Sequence, residues 1–275
     1  GWMESLQRPV VRKLEMSGIN SPYAVLMQVK GGKIIGNMKG DEKIYPASMT
    51  KMMTALLAIE ANPDLDTPVT LPEEIFPALQ AQNASLAGFQ AGETATVRDL
   101  LYGAMLPSGA ECCEALAREV SGSEEAFAAR MNQKAAELGM TGTHFCNPTG
   151  LHYPEHVSTV RDMARLIEAA LQNETFRKLF TTERYTVPAT NCHPQGFTMH
   201  STLLSQLDGT ELHRGRILGG KTGYTGEAGL CLASLAEVKG REYILVTAGA
   251  GGNHSTAPYH IEDAVTVYRR VSRGA

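Results

Sequence analysis

The chain lacks the features that would indicate a membrane-spanning or nucleic-acid-binding protein. It contains no run of eighteen apolar residues, so the sequence predicts no transmembrane helix. Its 25 basic residues are outnumbered by 29 acidic ones, and the net charge of −4 gives no basic surface for nucleic acid. Internal repeats and low-complexity tracts are also missing. The 275 residues, 43% of them apolar, are enough to bury a substantial core.

Cysteine is sparse, and the sequence predicts neither a redox site nor a metal site. The five cysteines include no Cys-x-x-Cys pair. Cys112 and Cys113 point to different sides of a predicted helix, so we expect one of them to be a small core residue and assign no disulfide. His152 to His156 matches a His-x-x-Glu-His zinc pattern, but such a site needs both histidines on one helical face, and Pro154 favours a loop. We expect no metal and no cofactor.

A Ser-x-x-Lys motif, Ser48 to Lys51, lies where a helix is predicted to begin. Apolar residues follow it at the spacing of a buried helical stripe. Residues three apart share a helix face, so the Lys51 amine can reach the Ser48 hydroxyl. A hydroxyl is a poor nucleophile until a base takes its proton, which makes this pair a candidate for covalent catalysis. The alternative is a capping serine beside a solvated lysine.

Ser108 belongs to a second motif, Ser108-Gly109-Ala110. A helix is predicted from Val97 to Met105, Pro107 ends it, and another helix follows. The pattern therefore places a hydroxyl on a tight loop between two helices. Taken alone, Ser108 would be interpreted as a helix cap.

A third motif, Lys221-Thr222-Gly223, lies in a glycine-rich stretch from Leu218 to Gly226. Glycines on both sides are typical of an edge strand that a ligand backbone approaches closely, although the stretch alone would also fit a turn. The Lys221 ammonium and the hydroxyls of Thr222 and Thr225 suit a substrate carboxylate. Lys51 must spend time neutral to act as a base, and Lys221 is the candidate cation that would lower its pKa.

The remaining pattern predicts one antiparallel sheet built from both ends of the chain, with helices inserted between them. Strands are predicted near residues 23–29, 185–187, 230–236 and 243–248, and an amphipathic helix near the C-terminus. The region from Leu56 to Leu179 is mainly helical in pattern, and Thr159-x-x-Asp162 is typical of a capping box. We expect the three motifs to meet in a cleft between the sheet and the helices.

Taken together, these motifs resemble those of the serine D-alanyl-D-alanine carboxypeptidases, low-molecular-weight penicillin-binding proteins related to class A β-lactamases. The likeness extends to residues 143–151, 162–164 and 220–229, and covers residues 23–271. It implies an α/β (α+β) fold of the β-lactamase/transpeptidase type, an antiparallel sheet flanked by terminal helices with an inserted all-helical lobe. We expect a single catalytic domain over residues 1–275, its sheet lobe at about 1–61 and 181–275 and its helical lobe at about 62–180.

The resemblance implies a role for each motif residue. Ser48 would attack the peptide bond between two terminal D-alanines, Lys51 would be its base, and Ser108 would pass a proton to the leaving D-alanine. Lys221 would tune the network electrostatically, and Thr222 and Thr225 would hold the terminal carboxylate. The strand around Gly223 would bind substrate, and the backbone N–H groups of Ser48 and Tyr224 would form an oxyanion hole.

Two positions depart from the family pattern. Ala110 stands where the family has asparagine, so an amide that would bind the substrate backbone is missing. We expect an altered substrate preference, a slower rate or a neighbouring polar group in its place. His200 aligns with a carboxylate-binding arginine of some relatives, so it is a candidate to bind substrate or to cap a turn; we favour the turn because a lone histidine is usually structural or exposed.

Three other functions stay open at this point. A β-lactamase would need a deacylating base such as the glutamate of a Glu-x-x-x-Asn stretch, which does not occur between Ser108 and Lys221. A D,D-transpeptidase would use the same acylation residues. A non-catalytic cell-wall-binding module is the alternative from a different class, and Ala110 gives it some support.

The resemblance also implies partners and a location. The partners would be peptidoglycan stem peptides ending in D-Ala-D-Ala and β-lactam antibiotics, with no nucleic acid. The expected location is outside the cytoplasm, secreted or on the envelope face of a bacterial membrane. Residues Gly1-Trp2-Met3-Glu4-Ser5 lack the apolar core of a signal peptide, and a second β-rich domain and an amphipathic anchor are not expected after Val271. Peripheral membrane association would then depend on segments outside this chain.

Overall fold

A five-stranded antiparallel sheet organises the protein, whose computed structural model describes residues 13–274. The strand order is β2-β1-β9-β8-β7, which places β7 at an edge and joins the two ends of the chain through the β1–β9 pair. The strands are β1 (Tyr23–Gln28), β2 (Lys33–Met38), β7 (Gly215–Thr225), β8 (Gly229–Val238) and β9 (Arg241–Ala250). Two small hairpins pair β3 (Pro68–Thr70) with β4 (Thr94–Thr96), and β5 (Arg184–Val187) with β6 (Phe197–His200).

Helices and loops alternate along the chain between β2 and β7. They are α1 (Lys51–Ala61), α2 (Phe76–Ala81), α3 (Val97–Met105), α4 (Ala110–Ser121), α5 (Glu124–Glu137), α6 (Val160–Ala170) and α7 (Glu174–Thr181). The last helix, α8 (Tyr259–Gly274), follows β9 and packs against β8 and β9. Within residues 13–274, none of these helices is long and apolar enough to cross a membrane.

The central strand β8 shows how the sheet separates two apolar cores. Alternate residues of a strand face opposite sides. Ala233 and Leu235 join the larger core against the inserted helices, whereas Leu232 and Ala236 join the smaller core under α8. Because both faces are covered, β8 is apolar almost throughout, and hydrophobic burial on both sides fixes the sheet in place.

The helix boundaries follow local sequence signals, with one correction. A reciprocal capping box does occur, at Thr96 and Asp99 before α3, where the sequence analysis had not placed one. At the predicted site, the Thr159 hydroxyl accepts from the Asp162 N–H as expected. The Asp162 carboxylate, however, accepts from the N–H of Gly142 and the hydroxyl of Thr143, so its tertiary contacts replace the return bond of a box.

The predicted fold class is confirmed, with differences in detail. The four strands expected outside the motifs are present, and Lys221 lies on an edge strand as expected. Strand β2 was not predicted, and β3 and β4 interrupt the region expected to be helical. Cys112 and Cys113 are both fully buried, where one was expected to be. A helix flanking the sheet at the N-terminus, and the segment Gly1–Ser5, lie outside the described residues.

Candidate active site

The Ser48 hydroxyl and the Lys51 amine meet at the entrance to α1. Residues Ala47–Thr50 form a single 3₁₀ turn that continues directly into the helix at Lys51. The Lys51 Nζ donates to the Ser48 Oγ across 2.7 Å. The lysine side chain is buried, with 3% of the residue exposed. The spacing expected from the sequence therefore produces a close serine–lysine pair.

Two glycines allow other segments to pack closely against this turn. A Cβ on Gly150, which has φ +89°, would lie 1.8 Å from the carbonyl oxygen of Ala47. A Cβ on Gly223 of β7 would lie 3.0 Å from the backbone nitrogen of Ser48. The turn is thus held between the loop at Gly150 and the edge strand, and both contacts depend on the missing side chain.

Ser108 and Lys221 form a second pair, from segments 113 residues apart. Ser108 lies between α3 and α4 with φ +66°, a left-handed conformation that is strained for a serine and often found at functional sites. Lys221 Nζ donates to the Ser108 Oγ at 2.9 Å and to the Thr222 carbonyl at 2.7 Å. Both residues are buried. Ser48, Ser108 and Thr222 line one cleft, so the three motifs meet as expected.

Burial makes both lysines unusually acidic. Removing an ammonium from water favours its neutral form, and this effect lowers the pKa of Lys51. The same burial, reinforced by the positive charge of Lys51, holds the pKa of Lys221 well below its ordinary value. A lowered pKa increases the fraction of the amine that is neutral, which is the form that a base for Ser48 needs.

Ser48 lies on the boundary between two clefts. The first, here called the hydroxyl cleft, has a volume of about 250 Å³ and is lined by Ser48, Ser85, Ser108, Thr202, Thr222, Thr256, His254 and His260 among others. The second, here called the outer cleft, has about 640 Å³ and is lined by Ser48, Lys51, Asn83, Ala110, Tyr153 and Glu227 among others. A larger cavity of about 770 Å³ beside Arg177 and Glu242 contains none of the motif residues.

Thr222 and Thr225 do not reach the same cleft. Residues three apart on a strand face opposite sides. The Thr222 hydroxyl lines the hydroxyl cleft and lies 2.6 Å from the hydroxyl of Thr202. Thr225 lines the outer cleft, where its hydroxyl accepts from the N–H of Ala228 in the β7–β8 turn. Tyr224, between them, packs edge-on against the ring of His254 at 4.8 Å.

Several cleft residues were missed by the sequence analysis. Thr202 follows His200 by two positions, but it is the threonine that contacts Thr222, while His200 is exposed at the end of β6. Ser85 lines both clefts and its carbonyl accepts from the Ala110 N–H at 2.8 Å. No local signal marks Ser85, because its position depends on a loop held by the neighbouring helix.

Glu111 holds the loop that carries Ser85 in place. Its carboxylate accepts hydrogen bonds from the N–H groups of Ala87, Gly88 and Phe89 at 2.9–3.2 Å. Burial raises the pKa of Glu111, and the three N–H groups oppose that rise by stabilising the charged form. The loop carrying Ser85 is thereby fixed to the start of α4, directly beside Ala110.

The His-x-x-Glu-His stretch has a structural role. It lies in a loop, and both ring nitrogens of His156 are engaged inside the protein, Nε2 with the Thr50 hydroxyl at 2.8 Å and Nδ1 with the Cys146 N–H at 2.9 Å. Burial lowers the pKa of His156 to about 4, so it is neutral at pH 7. Among the described residues, no group of three His, Cys, Asp or Glu side chains is arranged to hold a metal ion.

The fold and the converging motifs define a protein of the β-lactamase/transpeptidase type. The D-alanyl-D-alanine carboxypeptidase family, peptidase S11, matches residues 10–252, and the chain belongs to that family. It is 37% identical over 235 residues to the D-alanyl-D-alanine carboxypeptidase DacF of Bacillus subtilis, covering 82% of this chain and 57% of that protein. It is 33% identical to a D-alanyl-D-alanine carboxypeptidase of Streptomyces sp. strain K15, over 78% of this chain and 75% of that one.

Solved structures agree with this assignment. The Streptomyces K15 DD-transpeptidase superimposes with a TM-score of 0.83 at 29% identity, covering 94% of this chain and 98% of that one. A D-alanyl-D-alanine carboxypeptidase of Mycobacterium tuberculosis gives a TM-score of 0.81 at 25% identity, covering 96% and 95%. The resemblance inferred from the motifs is confirmed.

Proposed function

We propose that this protein is a serine D,D-carboxypeptidase that removes the terminal D-alanine from peptidoglycan stem peptides and is acylated by β-lactams. The observation that carries the proposal is the 2.7 Å contact between Lys51 Nζ and Ser48 Oγ at the junction of two clefts. Ser108 and Thr222 line the same junction. Membership of the family and the names of its relatives support the substrate class.

In this proposal, Ser48 forms the acyl-enzyme. The neutral Lys51 amine accepts the hydroxyl proton as the Ser48 oxygen attacks the carbonyl carbon of the penultimate D-alanine. The backbone N–H groups of Ser48 and Tyr224 stabilise the developing oxyanion. The C–N bond then breaks as Ser108 relays the proton held by Lys51 to the departing D-alanine nitrogen, which leaves the Lys51 amine neutral again. Water hydrolyses the ester and restores the Ser48 hydroxyl.

Lys221 acts on this proton path without contacting Ser48. It lies under Ser108 at 2.9 Å, so its charge state sets how readily the Ser108 hydroxyl gives up or receives a proton. The positive charge of Lys51 is one cause of the low pKa of Lys221, which means that the two lysines oppose each other's protonation. Protonating one therefore favours the neutral form of the other.

The substrate lies across both clefts in this proposal. The terminal carboxylate enters the hydroxyl cleft, where Thr222 and Thr202 present paired hydroxyls and none of the described lining residues is a carboxylate. The acyl half of the peptide extends into the outer cleft past Ala110. Thr225 shapes the turn that borders this cleft and is not part of the carboxylate site. Ser85, which lines both clefts, is the polar neighbour that replaces the missing asparagine amide.

We further propose one catalytic domain with a sheet lobe and a helical lobe, acting outside the cytoplasm. The convergence of Ser48, Ser108 and Lys221 from both lobes supports a single catalytic unit. A cell-wall substrate would be met only outside the cytoplasm, which supports the location.

The test is the mass of the intact protein after exposure to benzylpenicillin, together with release of D-alanine from Nα,Nε-diacetyl-Lys-D-Ala-D-Ala. We expect a one-to-one adduct and D-alanine release, both abolished by Ser48→Ala and unchanged by Ser17→Ala, an exposed serine outside the clefts. An adduct that persists in Ser48→Ala would refute the nucleophile. Absence of both adduct and release would favour a wall-binding module, and rapid loss of the adduct would favour a β-lactamase.

A second activity, D,D-transpeptidation, is supported by the likeness to the Streptomyces K15 DD-transpeptidase over 94% of this chain. It would use the same acyl-enzyme, with an amine in place of water as the acceptor. Adding glycine or isotopically labelled D-alanine to the peptide assay measures the partition between hydrolysis and transfer. Transfer would appear as exchange of the terminal residue without a matching rise in the hydrolysis product, diacetyl-Lys-D-Ala.

A further inference from the structure

One end of the five-stranded sheet, here called the basal end, lies away from the clefts. β7 reaches the clefts with its C-terminal half and begins at the basal end, at Gly215. Gly215 pairs with Val238, so the β8–β9 turn lies at the same end. The β1–β2 turn lies there too, because Gln28 pairs with both Lys33 and Tyr243. The starts of β2, β7 and β9 are therefore close together.

The C-terminal end of α8 belongs to the same surface. The Ser272 hydroxyl of α8 donates to the His213 carbonyl, just before β7. The Lys239 N–H donates to the Arg214 carbonyl at 2.9 Å, which joins the β8–β9 turn to that segment. Segments far apart in the sequence thus form one continuous surface at the basal end.

The basal end is strongly cationic. Its cations are Lys30, Lys33, Arg214, Arg216, Lys239, Arg241, Arg269, Arg270 and Arg273. The acids around them are Glu15, Glu168, Glu211, Glu237 and Glu242. Leaving Lys239 aside, none of these cations forms an ion pair with a described residue, whereas Glu242 is paired with Arg177. The net charge of −4 therefore conceals a local positive surface.

This surface is broad, and it is neither apolar nor concave. The exposed large hydrophobic residues of the described chain, Leu86 and Tyr153, lie in the region inserted between β2 and β7. Of the cations, only Arg216 lines one of the cavities described above. Five strands at a spacing of about 4.8 Å span about 19 Å, and the end of α8 adds a second layer. A flat array of charges fits a charged plane better than a small ligand or a single polymer chain.

We propose that the basal end docks on a membrane surface rich in anionic phospholipids and holds the catalytic clefts away from it. The two ends of the 11-residue strand β7 are about 33 Å apart, at about 3.3 Å per residue. Ser48 and its clefts therefore face the space beyond the membrane. The inference does not depend on the proposed function, and it gives described residues a membrane contact that was expected only from segments outside the chain.

The attraction to such a membrane is electrostatic. Each Lys or Arg close to an anionic membrane surface strengthens binding by about fivefold. Because no exposed large apolar side chain accompanies these cations, they bind at the headgroups without inserting. Salt screens such an attraction, since the Debye length falls from about 10 Å at 0.1 M to about 3 Å at 1 M. Docking should therefore be reversible and sensitive to salt.

The experiment is cosedimentation of the protein with vesicles of phosphatidylcholine alone, or of phosphatidylcholine with about one-third phosphatidylglycerol. We expect binding only to the vesicles that contain phosphatidylglycerol at about 0.1 M salt, and release of the protein at about 1 M salt. Fluorescent penicillin should label Ser48 at the same rate on the vesicles as in solution, because the clefts face away from the lipid.

Paired substitutions assign the contact to the basal end. Arg214 and Arg273 are both exposed, and Arg214→Gln/Arg273→Gln should weaken binding to the anionic vesicles by about 25-fold. Lys30→Gln/Lys33→Gln removes two exposed charges from the β1–β2 turn, on another part of the same surface. It should weaken binding by a similar factor.

The matched control is Arg130→Gln/Arg184→Gln, which changes the net charge equally at exposed positions on α5 and β5. It should bind as the wild type does. Equal weakening in the control, or binding to phosphatidylcholine alone, would overturn the docking surface, and so would binding that resists high salt. A higher affinity for inorganic polyphosphate than for the anionic vesicles would assign the surface to an anionic polymer and would also overturn the membrane contact.

The orientation has its own test. Slower penicillin labelling on the vesicles than in solution would show that the clefts face the lipid, and would refute the proposed orientation. If the protein is not labelled even in solution, the proposed function fails, whereas cosedimentation still decides whether the basal end docks.

Discussion

Replacing Gly150 by alanine should displace Ser48 and slow its acylation, although Gly150 belongs to none of the three motifs. Gly150 has φ +89°, and its ideal Cβ would lie 1.8 Å from the Ala47 carbonyl oxygen. Ordinary van der Waals contact begins at about 3.4 Å, so the two atoms must separate widely. Ala47 precedes Ser48 in the same 3₁₀ turn, which means that the nucleophile must move with it.

The magnitude follows from two contributions. An alanine in the left-handed region costs about 1–2 kcal/mol, and overpacking a tight contact costs about 1–3 kcal/mol more. A displacement of about 1 Å at a reacting group lowers a rate on the order of a hundredfold. We expect Gly150→Ala to lose both stability and acylation rate.

Gly31→Ala is the matched control. Gly31 has φ +87°, almost the same as Gly150, but no atom lies within 4 Å of its ideal Cβ. The free energy of unfolding of Gly31→Ala should fall only by the cost of the left-handed conformation, about 1–2 kcal/mol, and the variant should be acylated at the wild-type rate. The assays are urea unfolding and the rate of labelling by a fluorescent penicillin. Equal stability losses in the two variants, or wild-type labelling of folded Gly150→Ala, would refute the reasoning.

Three further predictions concern the residues around the pair. Lys221→Met should be more stable than the wild type at pH 7. Burial lowers the pKa of Lys221 only in the folded state, so the unfolded chain binds the proton more tightly and the free energy of unfolding of the wild type rises with pH. Urea unfolding should therefore show the stability difference between variant and wild type narrowing toward pH 10. Thr202→Val should raise KM for the peptide by about threefold to tenfold with little change in kcat, through loss of the hydroxyl beside Thr222. Glu111→Gln should lower the free energy of unfolding in urea by about 2 kcal/mol, because an amide cannot replace a carboxylate that accepts from three N–H groups. It should also slow penicillin labelling. Glu73 is exposed, so Glu73→Gln is the control and should change neither quantity.

The sequence could predict what depends on local spacing. The Ser48–Lys51 contact follows from three residues of separation at a helix start, and the edge position of Lys221 follows from its flanking glycines. Short runs of apolar residues were sufficient to identify β1, β8 and β9. Strand β2 was missed because glycine and asparagine at positions 36 and 37 weaken its pattern.

Contacts between distant segments could not be read from spacing. Thr202 matters only because the chain before β7 passes beside Thr222, and Ser85 only because Glu111 holds its loop. His260 precedes the apolar stripe of α8 and has no motif around it, so its burial beside the cleft required the structure. Thr222 and Thr225 were assigned to one site because they are close in sequence, but residues three apart on a strand face opposite sides, and Thr225 lines the outer cleft.

The pairing of β1 with β9 has a consequence for how the protein becomes active. The sheet that carries Lys221 is not complete until residues 241–250 dock beside residues 23–28. Folding that depends on joining such distant segments is slow and cooperative, so a nascent or cleaved chain lacking the last strand would hold Ser48 and its lysine in an unfinished pocket. Penicillin labelling should therefore be detectable only after the whole domain has folded, and its time course would measure when folding is complete.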